Sequence, residues 1–110
     1  MDADVVRKVL GLVGLGARGR GAVVGVERVR DAAKKGELVL AIVAPDASRN
    51  SLGKVVPLLK AKRVLIIEGP SAMQLGAAVG REATAAVGIV DRNLARGIRA
   101  LAESGSERAR

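Results

Sequence analysis

Residues 38–44, Leu38-Val39-Leu40-Ala41-Ile42-Val43-Ala44, are apolar without interruption. The run is short and bounded by turn-forming residues: Gly36 precedes it and a polar stretch, Pro45–Asn50, follows it. Such a segment suits a strand buried on both faces, which requires helices above and below it. The segment before it supplies one such helix. Over residues 25–35, Val26, Val29, Ala32 and Ala33 fall on one face, and Glu27, Arg28, Arg30, Asp31, Lys34 and Lys35 fill the other. Gly36 stands where a helix stop is expected, after two lysines that suit the negative end of the helix dipole.

The same pattern continues in both directions. Residues 4–17 place Val5, Val6, Val9, Leu10, Leu12 and Val13 at helical spacing, although each of the three glycines there costs a helix about 1 kcal/mol. A glycine- and arginine-rich loop, Arg18–Gly21, leads to a short strand, Ala22–Val24. Downstream, Leu52, Val55, Val56 and Leu59 repeat at helical spacing, and Pro57 predicts a kink or an early end. Arg63–Ile67 is expected to form a second buried strand, and Ser71 to cap a helix over 72–79. Ala85–Val90 is expected as a third strand. Asp91 is placed to cap a last helix with Leu94, Ile98 and Leu101 facing inward. Strands alternating with helices predict an α/β domain with a largely parallel sheet between helical layers. One domain is expected over residues 1–103, with a small, charged tail over 104–110 that frays.

Composition excludes whole classes of function. The 110 residues contain no His, Cys, Trp, Tyr or Phe. A Ser-His-Asp triad, a thiolate nucleophile and the usual nitrogen and sulfur zinc sites are therefore ruled out, and disulfides are impossible. No aromatic ring is present on which a base could stack. The hydrophobic fraction of 49% argues against disorder, so the core must be aliphatic. The longest apolar runs, Val9–Ala17 and Leu38–Pro45, are shorter than the roughly 18 residues of a membrane span. Asp2 and Asp4 near the start are unlike a secretory leader. A cytoplasmic protein is expected, with no membrane or metal partner. The net charge of +8 points to a polyanionic partner, above all nucleic acid.

Gly14-Leu15-Gly16-Ala17-Arg18-Gly19 fits G-x-G-x-x-G and defines the alternative reading, a small dinucleotide-binding module using Gly14–Gly19. In that reading Val9–Val13 is the first strand and Asp46 the ribose ligand. Against it, Ala22-Val23-Val24-Gly25 interrupts the required helix, and the acid lies 27 residues beyond Gly19 instead of roughly 20. The other reading of these glycines is close helix packing followed by a tight turn.

Four segments, taken in order, resemble one family. They are Gly14-Leu15 through Arg18 to Val23-Val24-Gly25; Leu38–Ala44 with Asp46-Ala47-Ser48-Arg49-Asn50-Ser51; Gln74-Leu75-Gly76 with Ala78 and Gly80; and Val87-Gly88-Ile89-Val90-Asp91. The chain is similar, from about Val9 to Leu101, to the ribosomal proteins that include archaeal L-seven-Ae and eukaryotic L-thirty-e. The resemblance implies a three-layer α/β/α sandwich with a four-stranded mixed sheet. It also implies a non-enzymatic protein, with no cofactor, that binds structured RNA. The expected target is the kink-turn, a bent helix–internal loop–helix with tandem sheared G·A pairs, or a related element of ribosomal RNA. A monomer is expected.

Carried onto this sequence, the resemblance places the RNA-reading helix start at Gly25, Val26, Glu27 and Arg28. Free N–H groups at a helix start bind phosphate oxygens, and a glycine lets the backbone approach closely. A carboxylate at Glu27 can accept from guanine N1 and N2, and Arg28 can donate to O6 and N7. A second contact region is Ser48–Leu52, through Ser48, Asn50 and Leu52, and a third is the loop Gly80–Ala85, with Gly80 and Arg81, which flanks a flipped-out nucleotide. This sequence departs from the family pattern in that first turn. Kink-turn readers carry an Asn-Glu pair where Glu27-Arg28 stands and a Lys where Asp31 stands.

Overall fold

The computed structural model describes residues 1–108. Its elements follow in the order α1 (Ala3–Arg18), β1 (Ala22–Val24), α2 (Val26–Lys34), β2 (Leu40–Val43), α3 (Arg49–Ala61), β3 (Leu65–Glu68), α4 (Ala72–Ala78), β4 (Ala86–Ile89) and α5 (Arg92–Arg108). The tail expected to fray, 104–110, is helical to Arg108, and residues 109–110 lie outside the described residues. The strands form one sheet in the order β1-β4-β2-β3. Helices cover both faces, giving the α/β/α sandwich with a four-stranded mixed sheet.

Alternation along β2 builds the two cores. Leu40 and Ile42 point to one face, where they meet Val5, Val9 and Val13 of α1, Leu75 of α4 and Ile98 of α5. Ala41 and Val43 point to the other, where they meet Val29 and Ala33 of α2 and Val55 and Leu59 of α3. Each residue of β2 and β4 is buried, which is why both read as unbroken apolar runs. All of this burial is aliphatic, so packing relies on small residues that let backbones approach. On α1, a Cβ at Gly14 would lie 2.8 Å from the carbonyl oxygen of Ala78, so α1 and α4 touch closely there.

The sheet is not largely parallel. β2 and β3 pair in parallel, whereas β4 runs antiparallel to both β1 and β2. The cause lies in α4. This helix is only 7 residues long, and the chain after it folds straight back. Arg81 N donates to Gly76 O at 2.8 Å, and Thr84 N donates to Ala72 O at 3.0 Å. The chain thus returns to the end of the sheet from which α4 started, and the next strand must run the other way. A Cβ on Gly76 would lie 2.5 Å from Cα of Ala83, so the fold-back needs glycine there.

One further expectation is corrected, and one of the two outcomes foreseen for Pro57 is excluded. β3 is an edge strand, with Leu65 and Glu68 exposed and only Ile67 buried, so it is not a second strand buried on both faces. Pro57 does not end its helix, since α3 continues to Ala61. The carbonyl that loses its partner belongs to Gly53, and both Gly53 and Pro57 are exposed, so water can satisfy it.

Two glycines of α1 should respond to alanine in opposite ways. Gly11 has nothing within 4 Å of an added Cβ, so Gly11→Ala should stabilise by up to about 1 kcal/mol. Gly14→Ala meets backbone and should destabilise by about 1–3 kcal/mol. Urea melts followed by far-ultraviolet circular dichroism will measure both, since the chain has no Trp or Tyr.

Candidate nucleic-acid interface

Strands β1, β2 and β3 run in one direction, so their carboxyl ends lie together with the start of β4. Helices α2, α3 and α4 all begin at this pole. Each brings unpaired N–H groups and the positive end of a helix dipole.

The three helix starts differ in how those groups are satisfied. At α3, the Ser48 hydroxyl accepts from Ser51 N at 3.1 Å and also bonds Ser51 Oγ at 3.0 Å. At α4, Ser71 Oγ accepts from Gln74 N at 3.1 Å and Gln74 Oε1 accepts from Ser71 N at 2.8 Å, a reciprocal box. Asp46 Oδ1 accepts in addition from Ala72 N at 2.9 Å. At α2 the cap is Gly25, which has no side chain and makes no capping bond. None of the first-turn N–H groups of Val26, Glu27 and Arg28 therefore has a side-chain acceptor, whereas α3 and α4 each have at least one first-turn amide capped. Gly25 has φ 96° and ψ 157°, a conformation that disfavours any residue with a Cβ.

Tertiary contacts add a cation to that helix start. Gly25 N donates to Ala86 O at 3.0 Å, which joins the end of β1 to the start of β4. The loop before β4 consequently passes beside Gly25, and Arg81 Nη1 lies 3.6 Å from where a Cβ on Gly25 would stand. Glu27 and Arg28 are exposed, while Val26 is half-buried against the α2–α3 core. Ala44 N donates to Ala85 O at 2.9 Å and ties the β2–α3 loop to the same place.

The three sequence-predicted regions thus share one pole, with unequal roles. Glu27, Arg28, Arg81 and the α2 amides face solvent together, and Gly80, at φ 76°, turns the chain towards Arg81. The Ser48 hydroxyl is engaged in capping. Asn50 is exposed, and Leu52 is half-buried against the core. Arg49, exposed as the first residue of α3 within the second contact region, is a further cation at this pole for which the sequence alone names no role. The signal was available: a basic residue at a helix start opposes the dipole. Asp46, the ribose ligand of the dinucleotide reading, is instead the tether between the β2–α3 loop and α4.

The dinucleotide alternative does not survive this geometry. Residues Val9–Val13 are helix, not strand, and α1 runs unbroken through Gly14 and Gly16 to Arg18. No strand-to-helix turn exists there to receive a pyrophosphate. Gly14 serves the contact with α4, and Gly19 closes the helix by donating to Leu15 O at 3.0 Å. Among the described residues no cluster of acidic residues is arranged to hold a metal ion, and no helix is long and apolar enough to cross a membrane.

Comparison with known proteins agrees with this arrangement. Residues 7–98 match the ribosomal protein L7Ae/L30e/S12e/Gadd45 family. The chain belongs to that family. A solved protein of unknown function from Bacillus halodurans C is similar, at 28% identity and a TM-score of 0.79, covering 87% of this chain and 97% of its own. The 15.5kD RNA binding protein of Giardia lamblia shares the fold at 20% identity and a TM-score of 0.75, covering 94% of this chain and 89% of its own. No curated protein matches the sequence at a significant level.

The backbone of Gly25 sets a direct test of the site's construction. Gly25→Ala should destabilise by about 1–3 kcal/mol, because a Cβ is forced into a conformation reserved for glycine. Urea denaturation should show it as a lower midpoint with an unchanged slope.

Proposed function

We propose that this protein binds structured RNA, with the start of α2 entering the opened groove of a kink-turn or a closely related bent element. The observation that carries this reading is the uncapped α2 start with Arg81 brought beside it from a different loop. Free amides and the helix dipole favour a phosphate, and Arg28 supplies a donor fork for guanine O6 and N7. Glu27 offers the acceptor for guanine N1 and N2. Arg81 adds a second guanidinium, able to bind phosphate or to stack flat on a flipped-out base, a role for which the chain has no aromatic residue. Family membership and the RNA-binding name of the Giardia lamblia neighbour support the same partner.

The mode of action is docking and stabilising a bend, without covalent chemistry or a cofactor. Ribosomal RNA is the proposed target, bound by a monomer in the cytoplasm. Glu27-Arg28 replaces the Asn-Glu pair of kink-turn readers by exchanging which side chain accepts and which donates.

A titration against a kink-turn RNA, and against the same RNA with its tandem G·A pairs replaced, tests this at two salt concentrations. The intact RNA should bind at least tenfold more tightly, about 1.4 kcal/mol. Equal affinity for both, abolished alike by salt, would overturn kink-turn reading. Arg28→Glu should lose most of the affinity for the intact RNA, since it removes a donor fork and adds a repelling charge. Circular dichroism should show the variant folded.

A further inference from the structure

The pole of α2 does not hold the positive excess of this +8 chain. Arg28, Arg49 and Arg81 there stand among Glu27, Asp46, Glu68 and Glu82. The opposite pole, where β1, β2 and β3 begin and β4 ends, is strongly basic. The α1–β1 turn brings Arg20, and α2 ends there in Lys34 and Lys35. The α3–β3 turn adds Lys62 and Arg63. Helix α5 starts there with Arg92 and Arg96, followed by Arg99 on the same side. Few acids offset them: Glu37, exposed just after the end of α2, is one, and two more are engaged locally. Asp91 is occupied in capping α5, with Oδ1 accepting from Leu94 N at 2.8 Å, and Glu103 pairs with Arg99 at 2.9 Å. Among the described residues neither Arg92 nor Arg96 forms an ion pair.

Folding electrostatics explains only part of this distribution. Lys34, Lys35 and Lys62 suit the negative ends of their helices. Arg92 is the first residue of α5, at the positive end, where a carboxylate is the favoured charge, and Arg96 stands one turn further on the same side. Arg20, at φ 64°, and Arg63, at φ 57°, are the non-glycine residues with positive φ among the described residues. Glycine or asparagine would be more comfortable at both. Three arginines at one pole, Arg20, Arg63 and Arg92, thus occupy positions that local structure disfavours. Beside α5, the open edge of the sheet leaves a groove of about 470 Å³, floored by Val39 and Leu65, which are 39% and 43% exposed, and rimmed by Arg92, Arg96 and Arg99.

We infer that this basal pole is a second RNA surface, one that holds a phosphodiester backbone by charge, so that the protein bridges two RNA segments. The charges extend from the α1–β1 turn to the α3–β3 turn of a molecule 33 × 28 × 26 Å across. A polyanion with regularly repeated charge matches that spread, whereas an acidic peptide seated in the groove would leave the outer cations unused. The inference holds independently of what α2 reads.

The test uses a short RNA duplex without an internal loop. The unmodified protein should bind it with steep salt dependence. Arg92→Glu with Arg96→Glu should weaken that binding at least tenfold and flatten the salt slope, while leaving kink-turn affinity within twofold. Misfolding is not expected, since a carboxylate suits the start of α5, and circular dichroism checks it. Arg20→Gly with Arg63→Gly should also weaken duplex binding while leaving the melting temperature equal or higher, a combination that a purely structural role would not give. Duplex binding unchanged in both pairs would overturn the inference, as would poly-glutamate binding at the same residues as tightly as the duplex. Loss of kink-turn selectivity in the unmodified protein, with duplex binding still lost on changing α5, would overturn the α2 reading and leave this one standing.

Discussion

The fold depends on one reversal. The seven residues of α4 and the loop that folds back over Gly76 return the chain to the pole it has just left. Strand β4 must then run against β1 and β2, and it enters the centre of the sheet instead of extending its edge. Two consequences follow. The start of β4 receives a hydrogen bond from Gly25 and so fixes the end of β1. The loop carrying Arg81 is also delivered to the start of α2, which is far from it in sequence. Without the reversal, α2 would keep its amides and its dipole but would lose the neighbouring guanidinium.

A core without aromatic rings limits how such a molecule can be packed. Large rings would fill gaps between layers that stand well apart. Aliphatic side chains fill less space, so elements must approach closely, and glycine and alanine appear where they do. Gly14 against Ala78 and Gly88 beneath Leu38 and Val23 are contacts of this kind. The glycines that weaken α1 as an isolated helix are therefore compensated by tertiary packing. The apparent nucleotide-binding pattern is a by-product of the same requirement, since close helix contacts and close phosphate approach both select residues without a Cβ.

Much of this was legible in the sequence because periodicity and capping are local. The buried strands β2 and β4 announced themselves as unbroken apolar runs, and Ser71, Asp91 and Gly36 marked helix limits that the structure keeps. The direction of β4 was not legible in hydrophobic pattern, because a strand buried on both faces looks the same whichever way it runs. The resemblance to a family supplied the mixed sheet instead. Burial of β3 was overestimated for a related reason: Val64–Ile67 is apolar, but its place at the sheet edge is decided by the order of all four strands. At the candidate site, the glycine and the first turn of α2 were readable, whereas the approach of Arg81 to Gly25 is a tertiary fact with no local signature.

That approach matters because the first turn of α2 is electrostatically ambivalent by itself. Glu27 suits the positive end of the helix, yet it cancels part of the attraction for phosphate that the end provides. Arg28 restores it on the same turn, and Asp31, exposed on the following turn, reduces it again. A helix start with this sequence and no neighbours would be a weak anion site. The surrounding elements alter the balance in two ways: Gly25 leaves the amides uncapped, and the α4–β4 loop contributes a cation whose position is set by the hydrogen bonds of the fold-back. The attraction for an anion at this pole is therefore set by the tertiary structure more than by the helix. Charge alone would carry a polyanion to the opposite pole first, where the excess lies. Under the two proposals above, that asymmetry would divide the labour, with shape and hydrogen bonding selecting at α2 and charge holding at α5.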